Sequence, residues 1–368
     1  MSFTEEAVVV VGGINQDIIG RSDQKLSHET SNIGSIVKTW GGVAHNIALC
    51  LARLGALPYL IAVIGDDGMK DSLEDYLHKE GIRTSGIIEA KGYPSCSYLA
   101  LLDHDGDLVA SVADMKAMKE LSGENLGIMA RTSWFNRAKL VAVDANVPED
   151  TLQFLCERIE AKGNQAVFYE PTSLEKSVRG INMWKKGLIH MMSPNAMELN
   201  AMAKMLKTQS SRVRSNQKFS FVSKQELGTK IVSRQLLDDL LTMFQEIPNM
   251  KRNNCYHIIV TRGKYGVLLA SLENCRQQKK TISLYKVSSV PVPSIVTTSG
   301  AGDTLAGATI WWLVNRGSKH VPSLQRCPSE LLAKALHIAV KAASMTLQSE
   351  SSVSEKLNSK RLILHASL

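Results

Sequence analysis

The residues best placed to do chemistry lie at 295–308, Ile-Val-Thr-Thr-Ser-Gly-Ala-Gly-Asp-Thr-Leu-Ala-Gly-Ala. The stretch reads as a strand end, a turn almost free of side chains, and a helix start. In that arrangement the backbone N–H groups of Gly300, Ala301 and Gly302 open towards one point, at which the positive end of the following helix also aims. Such a point suits a transferring phosphoryl group. Asp303 stands beside it, and a carboxylate within reach of a substrate hydroxyl takes its proton as the oxygen attacks phosphorus. The same residues also fit a plain Gly-rich helix entry with an N-capping Asp, so the elements around them have to decide.

Residues 7–11, Ala-Val-Val-Val-Val, are closed by Gly12-Gly13 and predict a central parallel strand buried on both faces. Asn15 and Asp17 come just past its carboxyl end, where open α/β sheets bind ligands. Alternating polar residues are equally what a half-exposed strand shows. Apolar residues at 47, 48, 51 and 54 then share one helical face that Gly55 stops, so Gly41 and Gly42 precede a helix whose first turn carries Asn46. Glycine there permits close approach by a ligand, and an Asn amide can bridge two sugar hydroxyls because it donates and accepts. Residues 59–64 and 69–80 continue as strand and helix, the rhythm of a parallel sheet.

Residues 95–102 and 107–114 flank an Asp-Gly turn and predict a hairpin, which with part of 17–38 makes a small β lid. Asp114, at the hairpin's end, either points into the site beneath the lid or is a solvated strand end. Strand 140–143 brings Asp144 and Asn146 to its carboxyl end, helix 149–162 follows, and strand 166–169 leads into Glu-Pro-Thr-Ser at 170–173. Ser193-Pro194 opens a helix on which Asn195 and Glu198 lie one turn apart, a spacing that lets both meet one ligand or its metal-bound waters. Residues 208–223 lack periodicity and read as a polar surface insertion. Strand 257–261 ends on Thr261 and delivers Gly263 and Gly266, which either pass under a phosphate or base or close a tight hairpin. Helices at 304–314 and 329–347 finish the core, with Trp311 and Trp312 inside it.

Composition sets the bounds. The chain has 368 residues, enough for one large α/β domain or two smaller ones, and its 44% hydrophobic and 21% charged residues are the balance of a soluble globular protein. The net charge of +8 suits an anionic ligand such as a nucleotide, but Lys and Arg are scattered, which argues against nucleic-acid binding. Six cysteines without a Cys-x-x-Cys pair predict reduced thiols, and nine histidines without a pair three or four apart leave no zinc site. No apolar stretch approaches the length of a membrane span and no signal segment is evident, so the cytoplasm is the expected address.

With these motifs in place, the chain resembles the PfkB, or ribokinase-like, family of carbohydrate and nucleoside kinases. The resemblance rests on Gly41-Gly42-x-x-x-Asn46-x-Ala48 running to Leu54-Gly55 and Gly65-Asp66-Asp67-Gly68, on Asn195-x-x-Glu198, and on Thr298-Ser299-Gly300-Ala301-Gly302-Asp303. It implies one kinase domain over 1–368: a three-layer α/β/α sandwich with a central, mainly parallel sheet and a small β lid from about 17–38 and 95–114. Within the family, residues 12–20, 111–115 and 170–173 with Lys176 are most similar to the pseudouridine kinases, which phosphorylate the ribose 5′-hydroxyl of that C-nucleoside. Residues 348–352 resemble the tail that closes their nucleotide site.

The resemblance implies Asp303 as base, the Gly300, Ala301 and Gly302 amides as anion hole, and Asp17 and Asn46 on the ribose hydroxyls, with Gly41 and Gly42 giving close approach. Lys176 would read the base or the phosphate, the alternative being a surface-helix Lys. ATP would meet Asn195, Thr261, Gly263, Gly266 and Thr298, and Mg²⁺ would be held through water by Asn195 and Glu198. Thr297 stands where the commonest family signature has an Asp that helps bind an activating K⁺, so this chain departs from the pattern there. Ribose, adenosine or a hexose are the rival substrates, and a non-catalytic nucleoside-binding partner is the rival of another class. The lid's edges imply a homodimer, and a pseudouridine 5′-phosphate glycosidase is the implied functional link.

Overall fold

The structure, a computed structural model, describes residues 8–129, 131–209, 219–223, 232–247, 254–273 and 280–364. Its strands are β1 (Val8–Val11), β2 (Asn15–Ser22), β3 (Gly34–Gly41), β4 (Pro58–Gly65), β5 (Arg83–Ala90), β6 (Ser97–Leu102), β7 (Leu108–Asp114), β8 (Leu140–Asp144), β9 (Ala166–Glu170), β10 (Met191–Met192), β11 (Phe219–Ser223), β12 (Cys255–Thr261), β13 (Val267–Glu273) and β14 (Lys280–Val287). Its helices are α1 (Val43–Arg53), α2 (Lys70–Lys79), α3 (Gly123–Met129), α4 (Ser133–Arg137), α5 (Glu149–Lys162), α6 (Ile181–Lys185), α7 (Ala196–Gln209), α8 (Arg234–Gln245), α9 (Ala301–Asn315), α10 (Ser329–Thr346) and α11 (Ser359–Leu364).

Ten strands form the main sheet in the order β11-β14-β13-β12-β10-β9-β8-β1-β4-β5. Among them only β13 runs against the rest, pairing antiparallel with both β12 and β14. Successive side chains on a strand face opposite ways, so a strand covered on both faces must be apolar throughout. That is what Val8 to Val11 supply: Val9 and Val11 join the apolar layer under α3 to α8, while Val8 and Val10 join the layer under α1, α2, α9, α10 and α11. All four are fully buried, and each contributes roughly 1.5–3 kcal/mol relative to exposure. Trp311 lies in the second of these layers, with Trp312 packed at its edge.

A second sheet of four strands, in the order β3-β2-β6-β7, stands apart from the main one. Asp66 and Asp67 pin the crossing to it: Asp66 Oδ2 accepts from Gly92 N, and Asp67 accepts from both the amide and the hydroxyl of Ser95. Asn15 opens β2 two residues after Gly13, so one short turn carries the chain from an interior strand of the main sheet to an interior strand of the small one.

Two local expectations fail. Residues 295–299 are loop rather than a strand end, because Pro291 and Pro293 supply no N–H to a ladder and β14 stops at Val287. The polar stretch 208–223 is not uniformly irregular: Thr208 and Gln209 finish α7, and Phe219–Ser223 pairs in parallel with β14. The part between them lies outside the described residues.

Candidate active site

The turn before α9 is built to be bare. Gly300 caps the helix at φ 72°, and a Cβ there would sit 1.7 Å from the carbonyl oxygen of Ser352. Gly302 is exposed and a Cβ there would meet nothing within 4 Å, so the turn is open beside it, and the amides of Ala301, Gly302 and Asp303 in the first turn of α9 have no intrahelical acceptors. Asp303 lies in this first turn but does not cap it; Oδ2 accepts instead from Asn46 Nδ2 at 2.7 Å, which removes the plain capping alternative. Burial raises the Asp303 carboxyl to about 7, helped by the charges of Asp144 and Glu198 and opposed by the Asn46 bond. Thr297 Oγ1 braces the preceding loop by accepting from Ser299 N, an uncharged group at the position of the missing Asp.

The glycines at 41 and 42 are explained first by their protein neighbours. A Cβ on Gly41 would overlap Asp17 Oδ2 at 2.0 Å, and one on Gly42, at φ 102°, would lie 2.5 Å from Gly13 O. Asp17 Oδ1 accepts from Asn15 Nδ2 at 2.6 Å, and burial raises the Asp17 carboxyl despite that bond. Asn46 has protein partners as well. Nδ2 is given to Asp303, and Oδ1 accepts from Ser352 Oγ at 3.0 Å with His45 Nδ1 at 3.1 Å. The oxygen end of the amide is therefore occupied by protein, and one N–H of Nδ2 is left for a ligand.

Asp144 is the hub of the opposite wall. Its carboxylate, 1% exposed, accepts from the amides of Gly13, Ala44 and Asn146 and from Asn146 Nδ2, tying the β1 turn to the start of α1. Lys176 is half-buried rather than on a surface helix, and Nζ donates to Asn146 Oδ1 at 2.6 Å. Burial lowers its pKa. Asp114 is held by its own turn, accepting from the amide and the ammonium of Lys116, whose bonds lower its pKa. It still lies, like Lys176, near enough to Cys96 to act on that thiol.

Along the next strand ends, Asn195 and Glu198 form a capping box. Asn195 Oδ1 accepts from the amides of Met197 and Glu198, while Glu198 Oε2 accepts from Asn195 N. What the pair can offer a ligand is the second Glu198 oxygen and Asn195 Nδ2. Glu170 is buried, accepts from Ser193 Oγ, and is raised well above the usual carboxylate range by burial and by the nearby charges of Asp303 and Glu198. After it, Thr172 adopts φ 68°, a left-handed conformation rare for a β-branched residue, held by Ala145 N donating to its Oγ1 at 3.0 Å. Strain of this kind costs roughly 1–3 kcal/mol and collects at functional sites.

Thr261 ends β12 beside Asn195, with which it forms an isolated parallel bridge. Gly263 and Gly266 close the β12–β13 hairpin, and Gly266 is required because a Cβ would lie 2.1 Å from Val287 O. Thr298 sits exposed on the loop before Gly300.

The carboxylates fit a divalent cation indirectly. Among the described residues only Asp103, His104 and Asp105, at the tip of the β6–β7 hairpin, bring three possible ligand atoms within 4.8 Å of one another. Glu198, with Glu170 behind it, therefore suits an ion held through water and by a bound phosphate rather than a direct chelate. No helix among the described residues is long and apolar enough to cross a membrane.

Asp144, Asn146, Glu170, His45 and Ser352 were missed as site residues. A polar residue at each strand's carboxyl end is a usable signal for the first three and the resemblance of 348–352 to a site-closing tail is one for Ser352, but His45 has none.

This architecture is the ribokinase-like fold. Ribokinase of Giardia lamblia superposes with a TM-score of 0.76 over 99% of both chains at 16% identity. Arabidopsis thaliana ribokinase, solved with ribose and ATP, gives 0.68 over 99% of this chain and all of that one, also at 16%. The chain belongs to the pfkB family of carbohydrate kinases, whose pattern matches residues 5–358.

Similar relatives include the pseudouridine-metabolizing bifunctional protein of Schizosaccharomyces pombe, 28% identical over 95% of this chain. The pseudouridine kinase of Escherichia coli is 30% identical over 54% of this chain, and that of Arabidopsis thaliana 27% over 72%. The chain spans 47%, 61% and 65% of the lengths of these three relatives.

Proposed function

We propose that the protein transfers the γ-phosphoryl group of ATP to the ribose 5′-hydroxyl of pseudouridine, giving pseudouridine 5′-phosphate and ADP. The observation that carries this reading is Asp303, raised to about 7 in the uncapped first turn of α9, whose amides have no intrahelical acceptors. A carboxylate of that basicity is about half ionised at neutral pH and takes a proton readily. Asp303 Oδ1 accepts the 5′-hydroxyl proton as that oxygen bonds to the γ-phosphorus and the bond to the bridging oxygen of ADP breaks. The amides of Gly300, Ala301 and Gly302 meet the charge that grows on the transferring group. Mg²⁺, when bound, would neutralise the phosphate oxygens, held through water by Glu198 and Asn195 with Glu170 behind them.

The ribose would be held by Asn15 and Asp17 above Gly41 and Gly42. The Lys176–Asn146 pair would read the uracil edge that in pseudouridine carries a free N1–H, whereas Asp114, by register on the face of Leu99 and Val112, is turned away from Asp17 and is not used. For ATP, a cleft of about 520 Å³ bordered by Val290, Ser344, Met345 and Leu362, with Lys341 and Arg361 at hand, would take the purine. The phosphates would run past Thr298 and the turn of Thr261, Gly263 and Gly266 towards α9. The names of the three relatives support the substrate class. The bifunctional one supports a second activity on the product, which we take to be a glycosidase.

A second copy of the chain is the proposed partner of the small sheet. By its register, Asn15, Asp17 and Gly41 share one face, while Ile18, Ile36, Leu99, Leu101 and Val112 share the other. Ile36 is 73% exposed and Val112 66%.

The test of the substrate is a panel of pseudouridine, uridine, adenosine, ribose and fructose with ATP and Mg²⁺, scored by ADP release. A site whose buried polar groups pair with the N1–H edge should give pseudouridine a kcat/KM at least about tenfold above uridine. Lys176→Ala should narrow that ratio more than it lowers activity on ribose. Equal turnover of the two nucleosides, or preference for ribose or adenosine, would leave only the family-level kinase reading.

A further inference from the structure

Asn46 and Asp303 are joined by a hydrogen bond whose direction is set by groups outside the reaction. Asp303, as a carboxylate, can only accept, so Asn46 must present Nδ2 to it. Oδ1 then faces His45 Nδ1 and Ser352 Oγ, and an amide oxygen has two acceptor sites, one for each. His45 must therefore carry its proton on Nδ1. The ring is completely buried against Tyr76, with Arg53 and Glu80 beside it, and burial lowers its pKa to about 4, so it is neutral at working pH. Among the described residues nothing pairs with His45 Nε2. A buried ring nitrogen left unpaired calls for an explanation, and the bond made by the other nitrogen supplies one.

Ser352 brings the chain's far end into the same arrangement. Its carbonyl packs on Gly300, Arg53 Nη1 holds the next carbonyl, Val353 O, at 2.6 Å, and Arg53 is itself paired with Glu80 at 3.0 Å.

We propose that His45 and Ser352 are positioning residues for phosphoryl transfer: together they fix the Asn46 amide so that it binds Asp303 Oδ2 and leaves Oδ1 to the substrate hydroxyl. The inference rests on Asp303 being the base, as proposed above, and not on which acceptor is used. Without either donor the amide is free to rotate, and the Asp303 carboxylate loses both its orientation and a bond that favours its ionised form. The other groups around that carboxylate, Asp144, Glu198 and Glu170, act against ionisation and stay in place.

The test follows the carboxyl carbon of Asp303 by NMR through a pH titration of protein labelled at aspartate Cγ, with the signal assigned by Asp303→Asn. Ser352→Ala and His45→Phe should raise the midpoint by about half a unit or more, since each weakens a bond to the charged form. Ser352→Thr and His45→Asn, which restore a donor at the same place, should stay near wild type. The kcat of Ser352→Ala, with the best acceptor of the panel, should fall at least about threefold with KM for ATP within about twofold. Midpoints within about 0.2 units of wild type for both Ser352→Ala and His45→Phe would overturn the proposal. So would equal shifts in His45→Phe and His45→Asn, or an unchanged kcat in Ser352→Ala. Ser352→Ala keeps the test decisive if the buried His45→Phe does not fold. The titration needs no acceptor, so failure of the wild type to use pseudouridine would refute the substrate alone.

Discussion

At Asp303, burial and the charges of Asp144 and Glu198 raise the carboxyl to about 7 while the Asn46 bond pulls the other way. The base is active when ionised, so kcat/KM should fall as pH drops below about 7. Asp303→Asn should remove that limb and lower kcat by roughly 10² or more, while calorimetry still sees both ligands bind. Retention of more than about a tenth of wild-type kcat would show that Asp303 is not the base. Stability provides a second check. With the folded pKa raised above an unfolded value near 3.9, the unfolded chain ionises first, so folding loses stability as pH rises between the two and the loss is complete above about 7. Asp303→Asn should therefore gain more in Tm at pH 8 than at pH 5. An equal gain at both would contradict the raised carboxyl. The type and spacing of Gly300 to Asp303 were readable in sequence because they are contiguous. The partners were not: Asn46 lies 257 positions from Asp303 and Ser352 lies 306 from Asn46, so only the fold brings them together.

Among the elements, the strand and helix alternation was legible because buried strands are continuous apolar runs and the helices carry a 3.6-residue stripe. β5 and β14 escaped notice, since Arg83–Ala90 and Lys280–Val287 mix polar residues into their runs. The start of α7 illustrates a second limit. Asn195-x-x-Glu198 reads identically as a ligand pair and as a capping box, and the structure shows the box. Glutamine also serves at the second position of such a box, which separates the two roles. Glu198→Gln should keep Tm within about a degree, whereas Glu198→Ala should lower stability by about 1 kcal/mol through loss of the cap. If the charge also steadies metal-bound water, both variants should raise the Mg²⁺ concentration needed for half-maximal rate. Wild-type Mg²⁺ dependence in Glu198→Gln would confine Glu198 to capping.

For the whole molecule, the hairpin at 95–114 announced a second sheet, but its pairing with β2 and β3 could not be read from order, because β6 joins β2 in parallel from 75 positions or more along the chain. That pairing gives the small sheet two unlike faces. One carries Asn15 and Asp17 and is the face proposed for the substrate; the other carries Ile18, Ile36, Leu99, Leu101 and Val112. Edge strands that stay exposed along their length invite pairing or association, and a monomer gains nothing from leaving such a face in water. Leu99→Asp with Val112→Asp places two charges on directly paired residues at the middle of that face. Like charges opposite one another disfavour the strand pair only slightly in solvent but are costly under a second copy. The variant should therefore sediment as a monomer where the wild type sediments as a dimer, with the main sheet's Tm little changed. Because Asn15 and Asp17 lie on the reverse of the same sheet, loss of the second copy should loosen them and raise KM for the nucleoside several-fold more than KM for ATP. A wild-type chain that sediments as a monomer at tens of micromolar would remove the second copy from the account, and an unchanged nucleoside KM in a monomeric variant would uncouple the outer face from the site.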